Sequence, residues 1–148
     1  MAAVDVRTGV QIGAPPDRVW AVVADLAAYP SWNPLVKAVA DWRPAVGAPF
    51  VLTIRPLGRG VATSVRAPVV AAEPGVALAW AGELAGPLLT FRHTFRLVPL
   101  EGGRTYLNHH ERFEGALAAT MFAAAPLLRR SYRRWDDALR ARVEAGGA

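Results

Sequence analysis

The sequence contains no cysteine. Disulfides, thiolate nucleophiles and Cys-ligated metals are therefore excluded. A domain of this size needs no disulfides, so a cytoplasmic location is the expectation. Long apolar runs are also missing. The least polar stretch, Gly115 to Leu128, is short and Ala-rich and holds Pro126, so it does not span a bilayer. The opening, MAAVDVRTGV, lacks a basic segment followed by an apolar stretch. Neither a signal peptide nor integral membrane association is expected. No glycine-rich phosphate loop follows a strand and opens a helix, so no nucleotide cofactor is implied. Internal repeats and low-complexity linkers are absent too.

What is present is apolar: 53% of the 148 residues are hydrophobic and 20% charged. Such a chain can bury one real core, and residues 1–148 read as one domain. The net charge is +5. Arg129, Arg130, Arg133, Arg134, Arg140 and Arg142 cluster near the C-terminus, diluted by Asp136, Asp137 and Glu144. No aromatics interleave with them and no groove-reading motif accompanies them. They read as a solvated helix face, and nucleic acid is not an expected partner.

Periodicity divides the chain. Val4 to Ile12 reads as a strand. Pro15-Pro16-Asp17 opens a helix, since proline in a first turn sacrifices no hydrogen bond and Asp17 suits the positive end of the dipole. Val19, Trp20, Val22, Val23 and Leu26 continue at helical spacing until Tyr29-Pro30 breaks it. Ser31 to Pro34 reads as a second short helical turn. The period then changes to two. Val36–Arg43, Phe50–Arg55, Val61–Ala72, Val76–Gly82, Leu89–Leu100 and Arg104–Glu114 are six further strands, separated by short Gly- and Pro-bearing turns that suit antiparallel hairpins. Met121, Ala125, Leu128, Tyr132, Trp135 and Leu139 form one apolar stripe on a final helix that starts or kinks at Pro126. The expected fold is α+β: a seven-stranded curved antiparallel sheet wrapped around a long C-terminal helix, with two short helices after the first strand. A bent sheet against one helix leaves a gap in which ligands sit.

Ala14-Pro15-Pro16-Asp17-Arg18-Val19-Trp20, Asp25 and Tyr29-Pro30-Ser31-Trp32-Asn33-Pro34 resemble the opening of the START-like (SRPBCC) superfamily. His93-x-Phe95, Thr105 and His109-His110-Glu111-Arg112-Phe113-Glu114-Gly115 look like the later strands of its polyketide cyclase/dehydrase-like branch. The resemblance implies a helix-grip fold with an internal cavity. It also implies a hydrophobic small molecule as partner (polyketide-like, aromatic or lipid), with the protein a monomer or homodimer. Members carry lipids, sense hormones or cyclise and dehydrate polyketides, so the resemblance carries over the cavity and not a mechanism; cofactor-free cyclisation or dehydration stands beside a non-catalytic lipid or small-molecule carrier and a stress-type interaction module. Loops at one end of such folds form the entrance; Gly58-Arg59-Gly60 is either part of it or a plain hairpin turn.

Strand parity sorts the candidate residues. Phe91, His93, Phe95 and Leu97 share one face, and Leu107, His109, Glu111 and Phe113 share another. If the two strands are hairpin partners, His93, His109 and Glu111 look into the cavity. A carboxylate there is costly unless paired. With a histidine it makes a candidate acid/base set for aldol cyclisation or dehydration, with Glu111 as acid or base and His109 or His93 relaying the proton. The alternatives are a mutually satisfied structural pair, polar groups that orient a ligand, or a two-His, one-carboxylate metal triad, which nothing else supports. No metal or other cofactor is expected. Trp80 shares a strand face with Leu78, and Trp42 with Val36, Ala38 and Ala40, which makes both candidates for stacking on a flat ligand; Trp135 and Tyr132 are the helix-borne candidates for the cavity wall. Phe91, Phe95, Leu107 and Phe113, with Phe50, Leu52 and Ile54, complete an apolar lining.

Overall fold

A computed structural model describes residues 3–146. Strand β1 (Val4–Ile12) is followed by helix α1 (Pro16–Val23) and a 3₁₀ turn (Leu26–Ser31). Six strands come next: β2 (Val36–Ala40), β3 (Pro49–Ile54), β4 (Thr63–Glu73), β5 (Ala77–Glu83), β6 (Thr90–Leu100) and β7 (Arg104–Glu114). A second 3₁₀ turn (Ala118–Phe122) leads into helix α2 (Ala125–Ala145). The strands form one antiparallel sheet in the order β1-β7-β6-β5-β4-β3-β2. From β2 to β7 every neighbour in space is a neighbour in sequence, as hairpin turns dictate. This is the helix-grip architecture expected from the element order.

The boundaries follow local chemistry. Strand β7 spans the residues that its alternation marks, with Thr105, Leu107, His109, Glu111 and Phe113 buried and their neighbours more exposed. Strand β2 is shorter than expected. A bulge between Val36 and Ala38 reverses its parity, so Ala38 and Ala40 face solvent while Val39 turns inward. Asp41, at φ 62°, ends it. Trp42 therefore does not share a face with Val36, Ala38 and Ala40. It folds back instead, donates Nε1–H to the Ala24 carbonyl at 2.8 Å and packs edge-on against Phe50.

The short helical turn after α1 lies earlier than Ser31–Pro34. It contains Tyr29-Pro30, and the buried Tyr29 hydroxyl donates to the Val23 carbonyl at 2.7 Å. Asn33 accepts the backbone N–H groups of Leu35 and Val36 and so starts β2. Helix α2 begins at Ala125 with Pro126 in its first turn, and Met121 belongs to the separate 3₁₀ turn.

Helix α2 lies in the concave face of the sheet. Leu128, Tyr132, Trp135, Leu139 and Val143 are buried there, and Arg130, Arg133, Arg134, Arg140 and Arg142 are exposed. Its C-terminal end is tied to the first connection: Gly13 N–H donates to Glu144 at 2.9 Å, and Arg18 to the Val143 carbonyl at 3.1 Å. Where β7 leaves the sheet, Gly115 holds φ 108° against the β5–β6 loop. A Cβ there would lie 2.5 Å from the Leu88 carbonyl oxygen, a backbone atom with little room to retreat. Gly75, at φ 76°, would meet nothing within 4 Å.

Gly115→Ala is therefore expected to cost about 1–3 kcal/mol from backbone strain alone. Gly75→Ala lacks the clash. Melting curves followed by circular dichroism should show the larger loss at Gly115, and equal losses would contradict this account of the turn.

Candidate functional site

The β6–β7 hairpin places His93 directly opposite Glu111 in register, with Phe95 opposite His109. Both strands point these side chains into the concave face, as parity requires. His93, His109 and Glu111 are all buried. They belong to one hydrogen-bonded chain. His93 Nδ1 lies 3.1 Å from Glu111 Oε2, and His93 Nε2 lies 2.7 Å from His109 Nε2. His109 Nδ1 lies 2.6 Å from Asp136 Oδ1, and Thr8 donates its hydroxyl to Asp136 Oδ2 at 2.5 Å. At the other end the Tyr132 hydroxyl donates a short hydrogen bond to Glu111 Oε1.

The partners dictate where the protons lie. Asp136 is a carboxylate with two donors, so His109 carries a proton on Nδ1. Burial pushes the His109 pKa down, against the raising effect of the Asp136 hydrogen bond, and favours the neutral ring. A neutral His109 presents a lone pair on Nε2, which accepts Nε2–H of His93. One proton is then shared between His93 Nδ1 and Glu111. Burial, helped by the Glu111 charge, pushes the Tyr132 phenol well above its ordinary range, so it remains a donor. With the proton on Glu111, the charge of the chain sits on Asp136. Shifting each proton one bond along moves that charge to Glu111. The connectivity is that of a continuous hydrogen-bonded chain, along which a proton has a path between a carboxyl at one end and a buried carboxylate at the other.

Stacking fixes the middle of this chain. The His93 ring is parallel to Trp80 within 3° at 4.6 Å between centroids, and stacks on Trp135 at 5.1 Å. Aromatic faces of this kind stabilise the ring when it is protonated. His109 stacks on Tyr132 at 4.7 Å.

The Glu111 end of this chain meets open space. A cavity of about 120 Å³ lies between the sheet and α2, and Glu111, His93 and Tyr132 form its polar corner. Trp80, Phe91, Phe113, Leu52 and Ile54 supply the sheet wall, while Met121, Leu128 and Leu84 close the helix and loop side. His109 lies one bond behind the wall. Phe95, Leu107 and Trp135 are fully buried beneath it and do not line the cavity, and Trp42 supports it at second hand through Phe50 and Trp80. The volume is close to the ~150 Å³ that accommodates a benzene ring in an apolar protein cavity, and below the ~300–1,000 Å³ of sites that enclose a whole ligand.

Sequence reasoning missed Asp136, Thr8 and Leu84. Asp136, taken with Asp137 as part of the solvated face, is 1% exposed. Its position carried a signal: it lies four residues after Tyr132 and three before Leu139, within the buried stripe. Among the described residues no group of three or more His, Asp or Glu side chains is disposed to hold a metal ion. The two histidines are instead each other's partners.

Comparison with known proteins places this geometry. Among curated proteins none matches the chain. An aromatase/cyclase, ZhuI from Streptomyces sp. R1128, superposes with a TM-score of 0.75 at 20% identity, covering 99% of this chain and 100% of its own. A START superfamily protein from Mycobacterium smegmatis gives 0.76 at 21% identity over 95% and 97%. Norcoclaurine synthase from Thalictrum flavum, a point mutant with a transition-state analogue, gives 0.73 at 12% identity over 99% and 98%. These likenesses establish the START-type fold. Residues 3–144 match the model of the family described as polyketide cyclase / dehydrase and lipid transport, and the chain belongs to that family.

Proposed function

We propose that the chain binds a ring-sized apolar portion of a small molecule, polyketide-like or aromatic, and moves a proton on it through Glu111 without a cofactor. The single observation behind this reading is the hydrogen-bonded chain from Glu111 through His93 and His109 to Asp136, whose Glu111–His93 end lines the cavity. A carboxylate at that corner takes a proton from carbon next to a substrate carbonyl. The same group, now protonated, returns the proton to a departing hydroxyl, which leaves as water. Abstraction and return in that order accomplish dehydration; return to a new alkoxide after carbon–carbon bond formation accomplishes aldol closure. The aromatase/cyclase named among the structural neighbours and the family description both agree with this class of chemistry.

A second reading rests on one specific observation. Both Glu111 oxygens already have partners, Tyr132 and His93, so the carboxyl is satisfied without a substrate. Under that reading the chain is a carrier that holds its ligand and leaves it unchanged.

Deuterium exchange of the protons beside the ketone of 2-tetralone, followed by NMR, separates the two. Tryptophan fluorescence reports its binding beside Trp80. Under the acid/base reading Glu111→Gln slows exchange about 100-fold or more and leaves binding within a few-fold. Unchanged exchange in that variant, or no catalysed exchange in the wild type with binding intact, returns the chain to the carrier reading. Asp136→Asn is expected to slow exchange about tenfold or more and to change the shape of its pH profile, because the far end of the relay can no longer carry the charge. A purely structural Asp136 would lower stability and leave the profile's shape alone.

The buried His109 adds a pH signature of its own. Its pKa is lowered from 6.5 in the folded chain, so the unfolded chain binds the proton first. The stability it contributes is present above pH 6.5 and declines as the pH falls from there toward the lower folded value. Melting temperatures across that window should drop on acidification, and His109→Gln should remove that part of the slope.

A further inference from the structure

The antiparallel meander sorts its turns by end. The β3–β4 and β5–β6 loops and the segment joining β7 to α2 lie at one end, while the β2–β3, β4–β5 and β6–β7 turns lie at the other. The first end is unusually apolar on its outside. Leu57 and Val61 project from the β3–β4 loop, Leu84 and Leu88 from the β5–β6 loop, and Leu117 and Phe122 from the β7–α2 segment. Val61 is 83% exposed, Phe122 59% and Leu88 52%. The loops are joined, since Leu117 N–H donates to the Leu88 carbonyl at 2.8 Å. They also surround the cavity mouth, to which Pro56, Leu84 and Met121 contribute.

Beside this apolar rim runs an open groove of about 410 Å³ between the β3–β4 loop and the start of α2. Arg59, Arg130 and Arg134 line it together with Leu57, Leu127 and Ser131, and no carboxylate does. None of the three arginines takes part in an ion pair among the described residues. Three guanidinium groups share one groove while large apolar side chains stand around it in water. Apolar side chains gathered in this way mark an interaction surface rather than a solvated one.

We propose that this end of the molecule docks on an anionic lipid bilayer, with the apolar side chains entering the acyl boundary and Arg59, Arg130 and Arg134 meeting lipid phosphates. An amphipathic surface of this composition matches a membrane interface on both counts: apolar area to bury and positive charge at headgroup depth. The cavity mouth then faces the bilayer, the phase in which an apolar ligand dissolves. The inference stands whether or not Glu111 turns over what enters.

Flotation of the full chain with phosphatidylcholine vesicles, with and without phosphatidylglycerol, tests it. Association is expected with the anionic vesicles and weakens as salt screens the arginines. Leu88→Ser and Phe122→Ser should each weaken it about tenfold. Arg130→Gln and Arg134→Gln should each weaken it about fivefold. The outer face of the sheet is also basic, with Arg7, Arg92, Arg96 and Arg112 around one depression. Arg92→Gln with Arg96→Gln is the control for charge alone and should leave flotation unchanged. An environment-sensitive dye on Phe122→Cys should shift to the blue on anionic vesicles, and one on Val76→Cys at the other end should not; the chain's lack of cysteine makes both labels unique.

Equal flotation with neutral vesicles overturns the proposal, as does a loss in the outer-face variant as large as in the rim variants. No flotation, with retention on a poly-L-glutamate matrix that depends on the rim residues, also overturns it and assigns the rim to an acidic protein.

Discussion

The seating of the long helix on the sheet depends on a match between two repeats. Tyr132 and Asp136 are four residues apart on α2, about 6 Å along a helix axis. Glu111 and His109 are two residues apart on β7, about 6.8 Å along a strand. The pairs Tyr132–Glu111 and Asp136–His109 therefore close together, running in opposite chain directions. Two polar links between elements far apart in sequence fix both the axial position and the rotation of the helix. Apolar packing through Leu128, Trp135 and Leu139 supplies area without direction. The polar pairs supply the direction, because a helix shifted by one turn would strand two carboxyl groups in a dry interior.

That constraint also decides how the carboxyl groups are satisfied. Glu111 and Asp136 are buried without an arginine or lysine beside either one. Their partners are a phenol, two imidazoles and a hydroxyl, groups that can hold a proton or pass it on. A guanidinium partner would pin each carboxylate in its charged form. Imidazole partners leave the location of one proton set by small differences in energy. A network built this way holds the helix in place with groups that are able to take up or release a proton at the cavity wall.

The legibility of the sequence varied with whether one element was enough to read. Strand β7 could be delimited from its alternation alone, and hairpin logic then turned His93, His109 and Glu111 to the same side. Strand β2 could not, because a bulge is a property of the pair β2–β3 and leaves no mark in a single strand's pattern. Trp42 was assigned to the wrong face for that reason. Asp136 was hidden differently. An aspartate on an arginine-rich helix reads as solvated, and its burial requires a partner 27 residues away on β7. Its place inside the apolar stripe was visible, but the histidine that makes burial tolerable was not assigned to it. Of the candidates for the cavity lining, Trp80, Phe91, Phe113 and Tyr132 reach the cavity, while Phe95, Leu107 and Trp135 form the layer beneath. Parity gives the face of a sheet and not the depth at which a helix comes to rest on it.

Depth is what makes the cavity small. Trp80, Trp135 and Phe95 fill much of the space between sheet and helix, and the stacked His93 is locked among them. The two ends of the remaining space differ in stiffness. Around Glu111 the carboxyl, phenol and imidazole groups are held by directional bonds, and the rings are in close contact, so that wall has little freedom to move. The mouth is closed by the half-buried Met121 and the exposed Leu84, on a turn and a loop, and a methionine side chain adapts its shape at low cost. Widening for a larger molecule must then come from the mouth. The corner around Glu111 keeps its geometry while the entrance adjusts. Rigidity where orientation matters, and compliance where size matters, follow from which residues carry hydrogen bonds and which carry only apolar contacts.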